Sequence, residues 1–434
     1  MSRRVSFATS LILFLIVCPA GALRADDAKL VENRVKCIAR DAPAPGGYRV
    51  SPNGERLAAC LRNEGTAPYS VWCDGKKGPR CKSISVTSIG FTPDSKHLIY
   101  YAHPTGKTSH QGLCDQKPVG GSYLTFSPDG KHRAWKVQPP GRSSFMMLDG
   151  KRLGKFIGVG QPVFSPDSRH LAFQSGYTGE RSIVVDGKTG PGFDGVGVPV
   201  FGPNSKALAY ACCRGNRWQV LCGRKRTGPY NEVGPLVFSP DGKSLAYRAR
   251  RGKKWSVVHG KAKGKDYADL RDPVYSSDGA HLAYAASDGK SWLVVHDGKE
   301  GTAFEDVGTP VFSSDGTHLA YTATRAGKAL VVCDGLESET CDVVNWVGFS
   351  PDGQHLALVA RRENYASMVV DGLEGPRRYH WALIVPDSFA DVPGKLRYVV
   401  LEKTEKANQR HAWMVEVDWP TGRTWKDAFK PTTD

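Results

Sequence analysis

A nine-residue phrase recurs along this chain at an almost fixed interval, and it constrains the fold more than any other feature. Its most complete form is Phe-Ser-Pro-Asp-Gly-x-x-Leu-Ala, as in FSPDGKSLA. Nine copies begin at Val50, Phe91, Phe126, Phe164, Phe201, Phe238, Tyr275, Phe312 and Phe349. The intervals are 41, 35 and 38 residues, followed by five of 37 residues. Tandem units of this length predict an array of small structures that bury their apolar faces against one another.

The unit that begins at Phe238 has the pattern of four short antiparallel strands. Pro240–Gly242 is a turn, because Asp can bond its own backbone and Gly tolerates positive φ. Leu245–Tyr247 alternates large and small residues, as a half-buried strand does. Trp255–Val258 is a third strand, and a weaker fourth strand lies near Tyr267–Leu270. Four short strands in about 40 residues predict one blade of a β-propeller.

The phrase resembles the TolB-type repeat, the WD-like β-propeller motif of bacterial envelope proteins, whose usual form is Trp-Ser-Pro-Asp-Gly-x-x-Ile-Ala-Phe/Tyr. Phe or Tyr stands here where that form has Trp, and the resemblance covers residues 50 to about 385. It implies a propeller that binds partners and brings no catalytic residues. We predict an all-β fold, a single β-propeller of about nine to ten four-stranded blades with 37-residue repeats; two smaller propellers are the alternative.

The first residues have the pattern of an export signal. Arg3 and Arg4 precede the apolar run Leu11–Val17, and Ala20–Ala22 supplies small residues for cleavage. Residues 1–25 are therefore predicted to be a signal peptide, with a periplasmic or secreted mature chain and no transmembrane segment after cleavage. Lipoprotein and twin-arginine export are the alternatives.

Both ends of the chain contain strands that lack a repeat of their own. Residues 26–49 form an N-terminal segment in which Arg34–Ile38 is a candidate ring-closing strand, and residues 50–384 hold the nine tandem repeats. Residues 385–434 form a degenerate last repeat and a tail, with candidate strands at Leu396–Val400 and Ala412–Val417. Strands from both ends that share one sheet would remove the open edges of a partial blade.

Ten cysteines remain after the signal peptide, an even number in an oxidising compartment. Cys73 with Cys81, and Cys333 with Cys341, have the same spacing and straddle an Asp-Gly turn. Since facing positions on a hairpin can meet disulfide geometry, both pairs are predicted disulfides; zinc binding is the alternative. The pairing of the other six does not follow from the sequence: Cys37, Cys60, Cys114, Cys212, Cys213 and Cys222.

The chain is basic, with 59 Lys and Arg against 43 Asp and Glu and a formal net charge of +16. Part of the excess is clustered in a candidate anion-binding set: Arg214, Arg217, Arg224, Lys225, Arg226, Arg250, Arg251, Lys253 and Lys254. Outside the cytoplasm such a set would attract an anionic glycan or lipid surface, and no nucleic-acid partner is predicted. The alternative is that these residues flank solvated hairpin turns.

The Asp, His and Cys residues that could act in catalysis or metal binding mostly occupy the same positions in successive repeats. Seven Asp residues lie in the turn of the phrase, and Asn replaces Asp in two copies, as a turn allows. Six histidines follow that turn, at positions that usually face solvent; a zinc ring is the alternative: His97, His132, His170, His281, His318 and His355. A third-strand column is too widely spaced between repeats to share one ion: Cys222, His259, His296 and Cys333. Since phosphate loops and nucleophile elbows are also missing, we predict no catalytic residues, no metal and no cofactor.

These observations favour an exported, non-catalytic β-propeller that acts as a protein-binding scaffold, with an unidentified protein partner. The first alternative is a binder of anionic envelope polymers or lipids through the basic residues. The second is an enzyme whose carboxylates converge in the axial channel.

Overall fold

The computed structural model describes residues 32–43, 49–53, 55–62, 69–107, 110–139, 143–154, 156, 158–177, 179–363, 365–375, 381–383, 395–403, 409–418, 420 and 422–431. The predicted signal peptide, residues 1–25, lies outside these ranges. Within them the regular structure is β-strand apart from one 3-10 turn, Trp425–Asp427, which confirms the predicted all-β propeller class. No helix with the length and apolar character of a bilayer crossing occurs among the described residues.

Each copy of the phrase opens a set of short antiparallel strands, which we number as repeats 1 to 9 in chain order. Repeats 1 and 2 comprise Arg49–Val50, Leu57–Arg62, Tyr69–Cys73 and Lys76–Lys77, then Cys81–Phe91, Leu98–Pro104, Gln111–Cys114 and Lys117–Pro118. Repeats 3 and 4 comprise Ser122–Phe126, Arg133–Val137, Phe145–Leu148 and Lys151–Arg152, then Val163–Phe164, Leu171–Tyr177, Glu180–Val185 and Lys188–Thr189.

Repeats 5 to 8 carry an additional two-residue strand before the phrase; in every repeat, the first strand is the one that holds the first residue of the phrase. Repeats 5 and 6 comprise Gly195–Val196, Val200–Phe201, Leu208–Arg214, Arg217–Cys222 and Lys225–Tyr230, then Glu232–Val233, Val237–Phe238, Leu245–Arg251, Lys254–His259 and Ala262–Lys263. Repeats 7 and 8 comprise Asp269–Leu270, Val274–Tyr275, Leu282–Ser287, Trp292–His296 and Lys299–Glu300, then Asp306–Val307, Val311–Phe312, Leu319–Arg325, Lys328–Cys333 and Leu336–Glu337. Repeat 9 comprises Val343–Phe349, Leu356–Arg362, Tyr365–Val370 and Leu373–Glu374.

In repeats 4 to 9 each sheet buries both of its faces against its neighbours. In repeat 6, Tyr247 and Val258 pack in a cluster with residues of repeat 5. Ala246, Trp255 and Val257 point to the opposite face and pack with residues of repeat 7. The opposite directions follow from the two-residue period of side chains along a strand. Equivalent clusters join repeats 3 to 9 in sequence, so most apolar burial lies between repeats.

A sheet built from both ends of the chain follows repeat 9. It has the strand order Trp381–Leu383, Lys395–Lys403, Gln409–Asp418 and Glu32–Pro43. The N-terminal strand runs antiparallel to the last of the C-terminal strands, from Glu32 opposite Val417 to Pro43 opposite Gln409. We call this four-stranded unit the closing sheet.

The closing sheet contacts the repeats on both sides of it. Leu396, Tyr398, Val415 and Val417 are fully buried and pack with the outer face of repeat 9. Strand Glu32–Pro43 contacts the second strand of repeat 1. Contacts therefore continue from repeat 1 through repeat 9 and back to repeat 1, which is the arrangement of one ring.

Sheets and repeats do not correspond one to one. Among the described residues, Tyr69 of repeat 1 pairs with Cys81 of repeat 2, so that these two repeats share one eight-stranded sheet. The extended first strand of repeat 2, Cys81–Phe91, makes this pairing because it begins well before the phrase. The predicted four-stranded unit thus holds for part of the ring and is modified at its start.

A C-terminal segment returns from the closing sheet to repeats 8 and 9. Trp425 is 1% exposed and packs in the cluster between these two repeats, with its ring centroid 5.4 Å from that of His318. Arg423 Nε donates to the carbonyl oxygen of Asp371 at 3.2 Å. Strand Lys430–Pro431 then pairs with Leu336–Glu337 at the outer edge of repeat 8. The segment fills a gap between repeats and covers a strand edge.

The hairpin register does not place the cysteines of either predicted disulfide opposite each other. Cys73 lies opposite Lys76 across a two-residue turn, and Cys81 lies opposite Tyr69. Since Tyr69 and Cys73 are separated by four residues of extended strand, the two cysteines are roughly 13 Å apart along it, too far for a disulfide. Cys341 lies opposite Ala329, which is four residues before Cys333. This pair is therefore also too far apart for a disulfide. All four thiols are free in the structure, as are those of Cys60, Cys114, Cys212, Cys213 and Cys222.

Candidate functional site

The six histidines of the repeat each bind an aspartate of the same repeat. In all six pairs, His Nδ1 lies 2.5–2.7 Å from a carboxylate oxygen of the Asp in the Asp-Gly turn after the third strand. The second carboxylate oxygen accepts the backbone N–H that follows the histidine, as Asp371 does from Leu356 at 2.9 Å. The pairs are His97–Asp115, His132–Asp149, His170–Asp186, His281–Asp297, His318–Asp334 and His355–Asp371.

In two of the other repeats, the histidine and the aspartate are replaced together. Repeats 5 and 6 have Ala207 and Ser244 in the place of the histidine, and there Gly223 and Gly260 replace the aspartate. In repeat 1, Arg56 Nε takes the histidine's role and lies 2.8 Å from Asp74. Where it is present, the pair therefore ties the first turn of a repeat to its third turn, which is a structural role.

The aspartate of the phrase has a separate role in its own turn. In repeat 3, Ser127 Oγ donates to Asp129 at 2.5 Å, and the Lys131 N–H donates to the same carboxylate oxygen at 3.1 Å. The arrangement recurs in repeat 6, where the hydrogen bond from Ser239 and the contacts of Lys243 lower the pKa of Asp241 to about 2. These carboxylates are ionised acceptors within a turn, as the sequence analysis expects.

His355 and Asp371 form the most buried of these pairs, with side chains 14% and 0% exposed. The hydrogen bond to Asp371 raises the pKa of His355 above its ordinary 6.5. A raised pKa stabilises the folded state below pH 6.5, and this stabilisation is lost as the pH rises through the raised value. We expect His355→Ala to lower the free energy of unfolding by about 2–3 kcal/mol at pH 5.5 and by about 1 kcal/mol less at pH 8.5, measured by urea denaturation.

His132→Ala is the control, because the His132–Asp149 pair is about half exposed and an exposed ion pair contributes little. Equal losses for the two variants, or a larger loss for His355→Ala at high pH, would contradict the proposed role of the buried pair.

The candidate anion-binding residues divide between two ends of the sheets. Six of them flank the hairpin turns between second and third strands in repeats 5 and 6: Arg214, Arg217, Arg250, Arg251, Lys253 and Lys254. Arg224, Lys225 and Arg226 lie at the other end of strand Arg217–Cys222. Arg250 also binds Glu232 at 2.8 Å, and Arg251 lies 5.0 Å over the ring of Tyr230. The nine residues thus do not form one continuous patch.

A cleft lies between repeats 2 and 3. It consists of two adjoining cavities of about 540 and 850 Å³, and both are lined by Tyr101 and Tyr123. We call it the Tyr101–Tyr123 cleft. The smaller cavity follows the first strands of repeats 2 and 3 and reaches Gln161 at the start of repeat 4. The larger one includes His103, His110 and Lys136.

Two β-bulges create this cleft. In repeat 2, Val86–Ile89 lies between the pairs Ser85–Tyr101 and Gly90–Ile99, so that four residues face one residue of the second strand. In repeat 3, Tyr123 and Leu124 lie between the pairs Ser122–Lys136 and Thr125–Ala134 and face one residue. A bulge bends its strand and redirects side chains, and bulges are frequent beside functional sites.

Tyr123 combines backbone strain with exposure. Its φ is +57°, a left-handed conformation that non-glycine residues rarely adopt, and its side chain is 48% exposed. Lys136 Nζ lies 5.8 Å from the centre of its ring. Strained residues persist where the surrounding structure holds them, and they are concentrated at binding sites.

The other aromatic side chains of the cleft form a small stack. The ring of His110 lies 5.4 Å from that of Tyr101 and 5.1 Å from that of His103. His110 Nε2 is 2.8 Å from Ser83 Oγ, and His103 Nε2 is 2.8 Å from the Lys107 carbonyl oxygen. Both imidazoles are thus oriented by hydrogen bonds.

The electrostatics of the cleft are neutral to positive. Burial lowers the pKa of Lys136 and raises the pKa of Tyr101, although a hydrogen bond with Ser122 opposes the second shift. The described lining of both cavities contains hydroxyl, amide, imidazole and aromatic groups and no Asp or Glu. The cleft therefore suits a neutral or acidic occupant that offers hydrogen-bonding groups and apolar surface.

The sequence analysis does not find this cleft, although the sequence contains a signal for it. The intervals of 35 and 38 residues around repeats 2 and 3 depart from the later 37. Tyr101, His103, His110 and Tyr123 also stand outside the columns that recur with the repeat. Departures from a regular repeat mark positions that packing alone does not explain.

No family model matches the sequence, and no curated protein gives a match. Among solved structures, the chain is similar to TolB from Acinetobacter baumannii, with 13% identity and a TM-score of 0.28 over 67% of this chain and 80% of that chain. It is also similar to an oligogalacturonate lyase in complex with manganese, with 12% identity and a TM-score of 0.33 over 68% and 97%. A third is the β-propeller domain of Myceliophteria thermophila Cps50 (Swd1), with 11% identity and a TM-score of 0.28 over 60% and 98%.

These neighbours are β-propeller proteins. At such TM-scores the likeness carries no inference about the site or the activity of this chain, and its fold is defined by its own strand pairing.

Proposed function

We propose that this protein is an exported, non-catalytic β-propeller that binds a partner polypeptide in the Tyr101–Tyr123 cleft. The single observation that carries this proposal is the pair of bulges, Val86–Ile89 and Tyr123–Leu124, on the first strands of repeats 2 and 3, because residues of both bulges line the cleft. They open an aromatic-lined cleft in an otherwise regularly packed ring. Residues 1–25 supply the predicted export signal, which places the mature chain in the periplasm or outside the cell.

A polypeptide segment matches the chemistry of the cleft. The bulged residues have no register partner in their ladders, and an extended segment can add where regular strand pairing is interrupted. Tyr101 and Tyr123 offer apolar faces for its side chains, and tyrosine is enriched at protein interfaces. Each cavity alone has the volume of a small-molecule pocket, about 300–1,000 Å³, and an extended segment could occupy both because they adjoin at Tyr101 and Tyr123. Lys136 favours an acidic group on the partner.

The two alternative functions have less support. The basic residues that a polyanion would need are divided between opposite ends of the sheets. The enzyme hypothesis needs paired carboxylates in the axial channel, and the described lining of the Tyr101–Tyr123 cleft has no Asp or Glu, so this cleft does not supply them.

The experiment that tests the proposal is a pull-down with tagged mature protein from envelope extract of the source organism, washed at low and then high salt. Tyr123→Ala removes the strained aromatic side chain and is compared with Tyr177→Ala. Tyr177 is an even more exposed tyrosine, at 61%, and does not line the cleft. We expect a discrete protein that survives the high-salt wash and whose affinity falls at least 10-fold with Tyr123→Ala, or about 1.4 kcal/mol.

Calorimetry with the purified partner measures these affinities, and circular dichroism checks that both variants fold. Equal binding by wild type, Tyr123→Ala and Tyr177→Ala would exclude the cleft as the binding site. Capture of glycan or lipid that high salt releases would instead support the polyanion alternative.

A further inference from the structure

Three metal-ligating side chains converge within repeat 7. The ligand atoms of His281, His296 and Asp297 all lie within 4.8 Å of one another. Asp297 Oδ2 is 2.6 Å from His281 Nδ1 and 3.6 Å from His296 Nε2. These residues belong to a different part of the ring from the Tyr101–Tyr123 cleft, so the inference is independent of the proposed function.

His296 Nε2 needs an explanation. This ring nitrogen is buried and has no hydrogen-bond partner among the described residues. At 3.6 Å from the Asp297 carboxylate it is too far for a hydrogen bond. A buried ring nitrogen that faces a carboxylate in this way is satisfied if a cation lies between the two groups.

The fold holds the three side chains in place without the metal. His296 ends the third strand opposite Ala283, and His281 comes just before the second strand. Asp297 Oδ1 accepts the Leu282 N–H at 2.9 Å, which leaves Oδ2 directed at the two imidazoles. The rings of His281 and His296 also pack on Phe312 of repeat 8, at 6.5 and 5.6 Å.

We propose that repeat 7 binds a divalent zinc ion through His281 Nδ1, His296 Nε2 and Asp297 Oδ2. Two imidazoles and one carboxylate form a donor set that suits zinc. Tetrahedral zinc bonds of about 2.0–2.2 Å place ligand atoms about 3.3–3.6 Å apart. The 3.6 Å between His296 Nε2 and Asp297 Oδ2 already fits, whereas His281 Nδ1 and Asp297 Oδ2 must separate from 2.6 Å. The side chains are 40–43% exposed, so an ion can reach them from solvent. On binding, the proton between His281 and Asp297 is released to solvent.

This set differs from the metal sites that the sequence analysis weighs, because all three ligands come from one repeat. A zinc ring requires ligands from several repeats, and each group of three potential ligands among the described residues lies within a single repeat. The second such group is His97, Cys114 and Asp115 of repeat 2. Burial raises the pKa of Cys114 to about 11, which keeps its thiol protonated and makes it the poorer ligand.

The repeats themselves provide matched variants. The position of His296 is Val185 in repeat 4 and Val370 in repeat 9, each beside an intact His–Asp pair. His296→Val thus removes one ligand and installs a residue that the fold already accepts there. Val185→His adds the missing ligand to His170 and Asp186 in repeat 4.

The test uses untagged mature protein, freed of metal by chelation and titrated with Zn²⁺ against a fluorescent zinc chelator. We expect one zinc per chain for the wild type, at least 100-fold weaker binding for His296→Val, and a second zinc per chain for Val185→His. Thermal melting without metal checks that both variants fold. Wild type that binds no zinc, or His296→Val that binds zinc as wild type does, would overturn the proposal.

Discussion

Replacing Trp425 with alanine is expected to lower the free energy of unfolding by about 3–5 kcal/mol, as measured by urea denaturation. Trp425 is the largest fully buried side chain among the described residues. Its ring meets those of His318 and Phe429 edge to face, at 5.4 and 6.1 Å. The substitution leaves a cavity between repeats 8 and 9, which neither repeat can close because both are fixed by their own sheets.

Lys430→Ala is the matched control, since Lys430 lies in the same segment with an exposed side chain. We expect this change to alter the free energy of unfolding by less than about 0.5 kcal/mol. If Trp425→Ala and Lys430→Ala have similar small effects, the C-terminal segment does not contribute to the packing of repeats 8 and 9.

Removal of the N-terminal strand is the second change with a large expected effect. A mature chain that starts at residue 44 lacks Glu32–Pro43, the edge partner of Gln409–Asp418. The ladder between these strands contains eight residue pairs, and net hydrogen-bond energies of about 0.5–1.5 kcal/mol each give a loss of about 5 kcal/mol or more. The exposed ten-residue edge is also a template for pairing with other chains. Urea denaturation and light scattering measure the two effects.

A chain that starts at residue 32 is the control, because it keeps the whole strand. A synthetic peptide of residues 26–43, added in trans, is expected to restore part of the stability of the shortened chain and to reduce its aggregation. If the chains that start at residues 32 and 44 are equally stable and monomeric, the strand is not needed to close the ring.

The sequence predicts the all-β propeller class because the signals for it are local. Turn residues such as Pro240–Gly242 and alternation such as Leu245–Tyr247 decide the strands of a repeat, and tandem copies require lateral packing. The register of a hairpin is less visible. Cys73 and Cys81 straddle one Asp-Gly turn, yet the turn has two residues and places Lys76 opposite Cys73. Spacing along the chain is therefore a poor guide to which residues face each other.

The candidate site is hidden for a related reason. The sequence analysis concentrates on residues that recur from repeat to repeat. The cleft instead lies where the repeats depart from the regular pattern, at the bulges beside Tyr101 and Tyr123. A bulge depends on pairing between strands, which composition does not record. The role of the histidines also depends on strand pairing, since His355 lies just before one strand and binds Asp371 just after the neighbouring strand.

The closing sheet also governs when the ring can be completed. Glu32 pairs with Val417, so the closing sheet forms only when strands from both ends of the chain are present. Contacts of such sequence separation are the slowest to form in folding. While the chain is being made, its N-terminal strand has no partner until the last residues emerge. A fragment that lacks either strand therefore keeps an open edge in the closing sheet and cannot complete the ring.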